Sequence, residues 1–261
     1  MINLIVDSWW VAYRELIKFF RQRTRLIMVV VQPLIWLGLM GNMMSGITNN
    51  PIAARALGAK SYLDFMTPGI ILMTVLFGGV FGGLSIIWDR RIGYLEKLLA
   101  SPINRGAIPL GKSISSMIQG AIQVVIIVAI ASLLGVHFQT GIFGILLIIL
   151  IAMLFSLILS GLSLTLASII KTHETLMAVV NFFMMPLMFT SNALFPITVM
   201  PKWLAAIAKV NPVSLAVTSI RELTIHGWGW REILPSLSII IILDIVFILI
   251  SQFAFQRETV E

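Results

Sequence analysis

Apolar runs of about 20 residues or more recur along this chain, and one reaches from Ile142 to Ile169 without an Asp, Glu, Lys or Arg. A helix rises 1.5 Å per residue, so each such run can cross a hydrocarbon core of ~30 Å. The chain therefore builds its interior from helix contacts in lipid. Composition agrees: 59% of the 261 residues are apolar, 11% are charged and the mean hydropathy is +1.01, far from the balance of a soluble globular domain. Cysteine is absent, which excludes a disulfide framework and any thiol or Cys-ligated metal chemistry. The net charge of +7 fits cytoplasmic loops of a multi-pass chain better than nucleic-acid binding.

Six spans are predicted, at 26–44, 67–88, 108–134, 142–169, 176–194 and 235–255. The fourth, about 28 residues and ~42 Å of helix, must tilt or extend beyond the lipid. With the N-terminus inside, Arg55, Lys60, Lys202, Lys209, Arg221 and Arg231 are external and the other 12 of the 18 Lys and Arg are cytosolic. That bias puts both termini in the cytosol. Trp88 inside, and Trp228 and Trp230 outside, stand where interfacial aromatic belts are expected.

Residues 3–25 lack the clean apolar core and small-residue cleavage site of a signal peptide. Ile5, Trp9, Ala12, Leu16 and Phe19 recur at spacings of three and four, with Asp7, Arg14, Lys18 and Arg21 largely opposite. This predicts an amphipathic helix along the membrane surface; a polar extension of the first span is the plainer alternative. Between residues 195 and 232, WLAAIAKV and SLAVTSIRELTI read as helices too short to span, cut apart by Pro196, Pro201 and Pro212. They predict short re-entrant helices in the outer leaflet, provided the backbone at Asn211 and Pro212 is buried against protein; the alternative is an exposed loop.

Trp88 to Lys112, WDRRIGYLEKLLASPINRGAIPLGK, is a basic, half-apolar loop between spans two and three, and the best place for an energy input to act. Inside it, GAIPLGKS (Gly106 to Ser113) satisfies the phosphate-loop spacing, and Ile239 to Asp244 imitates the acidic strand that accompanies one. A working phosphate loop needs a buried strand before it and a soluble helix after it. Here SPINR precedes and a membrane span follows, so ATP hydrolysis by this chain is not expected. His173-Glu174 opens like a zinc-protease motif, but Met177 stands where the second histidine belongs, and no metal site is read. Nor does a glycine-elbow serine or an aspartate pair suggest a hydrolase.

Asp244 stands near the middle of the sixth span, where a carboxylate costs roughly 2.5–3.5 kcal/mol and requires a partner or a proton. It reads either as an ion-coupling site or, more plainly, as a neutral or hydrogen-bonded carboxyl facing other helices. Gln119, Gln123 and Asn181 read as helix glue first and substrate contacts second. Gly78 with Gly82, and Gly79 with Gly83, form two small-xxx-small pairs that permit close helix approach. Pro33 and Pro186 bend spans one and five, which suits either cavity lining or plain packing.

Two further stretches join the loop: SYLDFMTPGI, Ser61 to Ile70, and NALFPITVMPKWLAAIAKVNPVSLAVTSIREL, Asn192 to Leu223. Together with YLEKLLASPINRGAIPLGK they resemble the permease subunit of an ABC type-2 exporter, the group that includes daunorubicin-resistance-type and polysaccharide-type exporters. The resemblance covers essentially the whole chain. It implies an all-α integral membrane fold and one permease domain over 1–261: an interfacial helix at 3–25, spans one to five at 26–194, the external re-entrant segment at 195–232 and span six at 235–255. It implies a homodimer in the cell inner membrane, each chain resting on a separate ATP-binding subunit that holds the ATP and Mg, with no cofactor in this chain. The coupling element would comprise Gly93, Tyr94, Leu95, Glu96, Lys97, Leu98, Leu99, Ser101, Pro102 and Arg105. Glu96 and Lys97 would give it charged contacts, and Leu95, Leu98 and Leu99 an apolar anchor. A substrate path would run past Pro33, Trp36, Gly78, Gly82, Asn181 and Pro186. The expected activity is export of a drug, lipid or lipid-linked glycan; the alternatives are an ion-coupled secondary transporter using Asp244 and, behind it, a lipid-modifying membrane enzyme.

Overall fold

The computed structural model describes residues 2–43, 58–59 and 61–258, and their regular structure is entirely helical. The elements are α1 (Ile2–Arg21), α2 (Arg23–Met43), α3 (Tyr62–Gly79), α4 (Phe81–Arg91), α5 (Tyr94–Ala100), α6 (Ala107–Leu133), α7 (Gly141–Ile169), α8 (His173–Phe189), α9 (Lys202–Val210), α10 (Pro212–Arg221) and α11 (Trp230–Glu258). Arg55 and Lys60, predicted external, fall outside the described residues.

Among the described residues, five stretches are long and apolar enough to cross a membrane: Arg23–Gly41, Tyr62–Arg91, Ala107–Leu133, Gly141–Ile169 and Trp230–Phe255. They match five of the six predicted spans. The remaining one, predicted at 176–194, is the 17-residue α8, which ends at Phe189 instead, short for a span at ~25 Å. There the Thr190 hydroxyl donates to the carbonyl of Pro186 (2.7 Å), closing the helix end. The chain is a multi-pass integral membrane protein.

The second span starts sooner than predicted, because Ser61 and Asp64 cap α3 reciprocally. It then breaks at Val80, which lies inside both glycine pairs. Ser163 Oγ donates to the Val80 carbonyl (2.7 Å), satisfying a backbone group inside the bundle. A Cβ on Gly79 would meet Leu159, and one on Gly83 would meet the backbone carbonyl of Ser163, so this pair lies directly against α7. A Cβ on Gly82 would meet Ser160 and Ser116, and one on Gly78 would meet Gln123. Helix α7 is the hub on which α3, α4, α6 and α11 all pack, with Phe155, Ile71, Leu76 and Ile127 fully buried.

The segment predicted to be external, 195–232, folds largely into short helices. Helices α9 and α10 meet at 82° across Asn211, which is 4% exposed. Asn211 Oδ1 accepts from Val213 N (2.8 Å), and Nδ2 donates to the carbonyl of Leu187 (2.7 Å) and to Thr190 Oγ1 (3.0 Å). The irregular backbone at Asn211 is thus buried against protein, the condition set for re-entrant helices. Farther on, Arg221 Nη2 donates to the carbonyls of Asn192 (2.9 Å) and Phe65 (3.3 Å), with its guanidinium 4.1 Å from the Phe65 ring centre.

Candidate functional site

The turn between α4 and α5 is made by Gly93, whose φ of +67° is accessible to glycine and strained for other residues. Helix α5 is only seven residues long, and Ser101 closes it by donating its hydroxyl to the Leu98 carbonyl (2.6 Å), with Pro102 next. Leu95 is buried in the chain's own core, and Leu98 and Leu99 pack half-buried against it. The three leucines expected to anchor a partner therefore hold α5 to its own protein. Glu96 and Lys97 stay exposed, as do Pro102 and Arg105. Asn104 N donates to Asp7 Oδ2 (3.2 Å), and Gln252 Nε2 donates to the Gly106 carbonyl (3.1 Å). Helix α1 and the C-terminal part of α11 therefore lie on the same side of the bundle as this loop.

Behind α5 sits a compact ion cluster. Asp89 accepts two bonds from Arg14 (3.1 and 2.9 Å), one from Lys18 (3.0 Å) and one from Lys112 (2.7 Å). Glu15 accepts from Arg14 and Lys18 (both 3.1 Å) and from Lys112 (3.2 Å), and Lys112 also donates to Ser85 Oγ (2.6 Å). The Asp89 and Lys112 side chains are each 1% exposed. Charges so far from water persist only with this many partners. Burial disfavours the charge on Arg14, but its hydrogen bonds to Asp89 and the fields of Asp89 and Glu15 outweigh that and hold its pKa above the ordinary value. The Arg14 guanidinium also lies 3.5 Å from the ring centre of Tyr94 on α5. Arg14 thus joins the loop helix and the amphipathic helix to the end of span two at Asp89, and Lys112 extends the cluster to span three.

Helix α1 accordingly differs from a simple surface helix. Its face against α6 carries Ser8, Val11, Ala12, Glu15 and Phe19, while Ile5 and Trp9, from the predicted apolar face, point outward. A Cβ on Gly111 would run into the Ser8 carbonyl and Val11, so α1 touches α6 at backbone range there, beside Lys112. Sequence does not single out Asp89, and it marks Lys112 only as part of the GAIPLGKS and loop motifs, not as a buried partner of two carboxylates. The available signal was weak: two acids, Glu15 and Asp89, on the side of the protein richest in bases, each next to an apolar stretch.

The predicted path residues do not converge within one chain. Gly82 is buried and Gly78 half-buried inside the bundle, Pro33 is buried along α2, and Trp36, Asn181 and Pro186 are exposed on its outer surface. Asp244 is 3% exposed beside the crossing of α11 over α7, where Phe247 meets Gly161, and neither carboxylate oxygen has a hydrogen-bond partner among the described residues.

Known proteins resemble this sequence over most of its length. Residues 7–225 match the ABC-2 type transporter family. The putative transport permease ycf38 of Porphyra purpurea is 32% identical over 232 residues, 88% of this chain and 78% of the relative. The daunorubicin resistance ABC transporter permease protein DrrB1 of Streptomyces coeruleorubidus is 26% identical over 215 residues, 82% and 73% of the two chains. The inner membrane transport permease YadH of Escherichia coli K12 is 24% identical over 260 residues, 97% of this chain and 98% of the relative. With its helical bundle and a family match spanning most of its length, the chain belongs to the ABC-2 type transporter family, as a transmembrane permease subunit.

Proposed function

We propose that this permease is the membrane half of an ATP-driven exporter, moving a hydrophobic or amphiphilic compound (a drug, a lipid or a lipid-linked glycan) out of the cytosol or inner leaflet. Two copies pair, and each rests on a separate ATP-binding subunit that carries the ATP and Mg. The whole chain acts as one domain, with both termini and α5 on the cytosolic side of the inner membrane and α9 and α10 re-entrant from outside. The residues from Gly93 to Arg105 form the coupling element, Glu96 and Lys97 meeting the ATPase. Trp36, Asn181 and Pro186, exposed on one chain, suit a path shared with the second copy, while Pro33, Gly78 and Gly82 let its helices bend and pack.

The observation that carries this reading is the stack of Arg14 on Tyr94, which joins α5 to the Asp89–Lys112 cluster. A push on an isolated seven-residue helix would be lost in local motion. Here it reaches α1, the end of span two and the start of span three together. The test is co-purification: Glu96→Ala and Lys97→Glu weaken retention of the ATPase subunit while membrane insertion is unchanged. Full retention with full ATP-dependent transport in both variants removes α5 from the coupling role, and chemical labelling of Lys97 from outside the cell removes the orientation.

A second reading, ion-coupled transport, is favoured by the buried, unbonded carboxylate of Asp244. Loss of all transport in a well-folded Asp244→Asn would support it; persistence of ATP-driven transport supports export.

A further inference from the structure

A cavity of about 530 Å³ opens beside the ion cluster, bounded by α1, the first turn of α2, the cluster end of span two, the first half of α6 and His173 of α8. Its wall carries three cations, Lys18, Arg25 and Lys112, and two carboxylates, Glu15 and Asp89. Lys112 and Lys18 are already engaged by both carboxylates. Arg25 is different. Among the described residues its hydrogen-bond partner is an amide, Gln119 Oε1, at 2.8 Å, and its guanidinium lies 4.0 Å from the Phe81 ring centre and 5.0 Å from that of Phe19. Gln119 is itself held by donating to Ser115 Oγ (2.8 Å), which aims its carbonyl oxygen at Arg25. On the same wall, His173 packs edge-on to Trp88 and has its Nδ1 buried without a hydrogen-bond partner. An arginine placed on an aromatic face with no carboxylate bonded to it, next to a cluster already one positive charge in excess, has the chemistry of a phosphate contact.

The neighbouring surface decides which phosphate. Arg25 is two residues into α2, ~3 Å along a helix that opens the first span. The following residues Ile27, Met28, Val30 and Val31 are exposed and apolar, a surface for acyl chains. We propose that this cavity holds the phosphate of an anionic phospholipid head group, with Arg25 as its principal contact and Lys18 and His173 beside it. The assignment to the inner leaflet rests on the export reading above; the binding itself does not, because it needs neither the ATPase nor transport.

The test uses the full chain in nanodiscs of equal parts phosphatidylglycerol and phosphatidylcholine, released into detergent, with retained lipid identified by native mass spectrometry. Wild type retains phosphatidylglycerol over phosphatidylcholine. Arg25→Gln reduces that preference by about tenfold, the loss expected for a charge-assisted contact. Arg23→Gln, which removes an exposed base two residues away, leaves it unchanged. Equal retention by wild type and Arg25→Gln overturns the proposal, and so does an equal loss in Arg23→Gln, which would mean bulk charge attraction. Displacement of phosphatidylglycerol by millimolar inorganic phosphate also overturns it, by making the ligand a soluble anion. If Arg25→Gln does not purify monodisperse, Arg25→Lys decides, since lysine keeps the charge but loses the planar fork and ring stacking: reduced preference supports the site and unchanged preference overturns it.

Discussion

Arg14 and Asp89, 75 residues apart in sequence, meet as a two-bond ion pair with Nη1–Oδ2 at 3.1 Å and Nη2–Oδ1 at 2.9 Å. The pair bonds α1 to the end of the second span, and the same guanidinium covers the Tyr94 ring. Helix α1 is therefore part of the bundle as well as a surface helix.

Removing Asp89 takes the paired acceptor from Arg14 and leaves the buried Lys112 with only Glu15 and Ser85. Asp89→Ala is expected to destabilise the protein by about 3–5 kcal/mol, read from thermal unfolding in detergent. Adding Lys112→Met takes away that buried charge, so the double variant should be more stable than Asp89→Ala alone. A double variant as unstable as the sum of the single losses would show that the two groups are not coupled.

Arg14→Lys preserves the charge but loses the paired bonds and the ring contact. Binding of the ATPase subunit is expected to persist while ATP-dependent transport per ATP hydrolysed falls, by about tenfold if the stack and fork together contribute ~1.4 kcal/mol. Coupling as tight as in wild type would show that α5 transmits without the stack.

Gly83 and Gly38 should respond in opposite directions. Gly83→Ala drives a methyl into the Ser163 carbonyl and should destabilise by about 1–3 kcal/mol. Nothing lies within 4 Å of a Cβ at Gly38, so Gly38→Ala gains helix propensity and is expected to be neutral or stabilising by up to ~1 kcal/mol. Equal melting temperatures for the two variants would contradict the close α4–α7 contact.

Arg221→Met cuts the bonds to the carbonyls of Phe65 and Asn192. Faster proteolysis within residues 195–211 is the expected result, with cleavage elsewhere unchanged. A digestion pattern identical to wild type would mean that the Asn211 bonds alone hold the segment.

Membrane residence and most of the spans were legible in sequence because the lipid imposes a local rule. A long apolar run must satisfy its own backbone, and a helix does so wherever the run lies. The start of α3 was legible only by the resemblance of SYLDFMTPGI and not by hydropathy: Ser61 and Asp64 are polar and sit before the apolar window, yet their reciprocal bonds begin the helix there. The turn at Asn211 was readable from its prolines, but not the bonds to Leu187 and Thr190 that bury it. The Asp89–Lys112 cluster and the Arg25 cavity belong wholly to the tertiary structure. Each combines residues from three or more helices, and a charge becomes a buried partner only once packing has removed the water around it. Sequence determined which segments enter the lipid; only the packed bundle decided which charges follow them in.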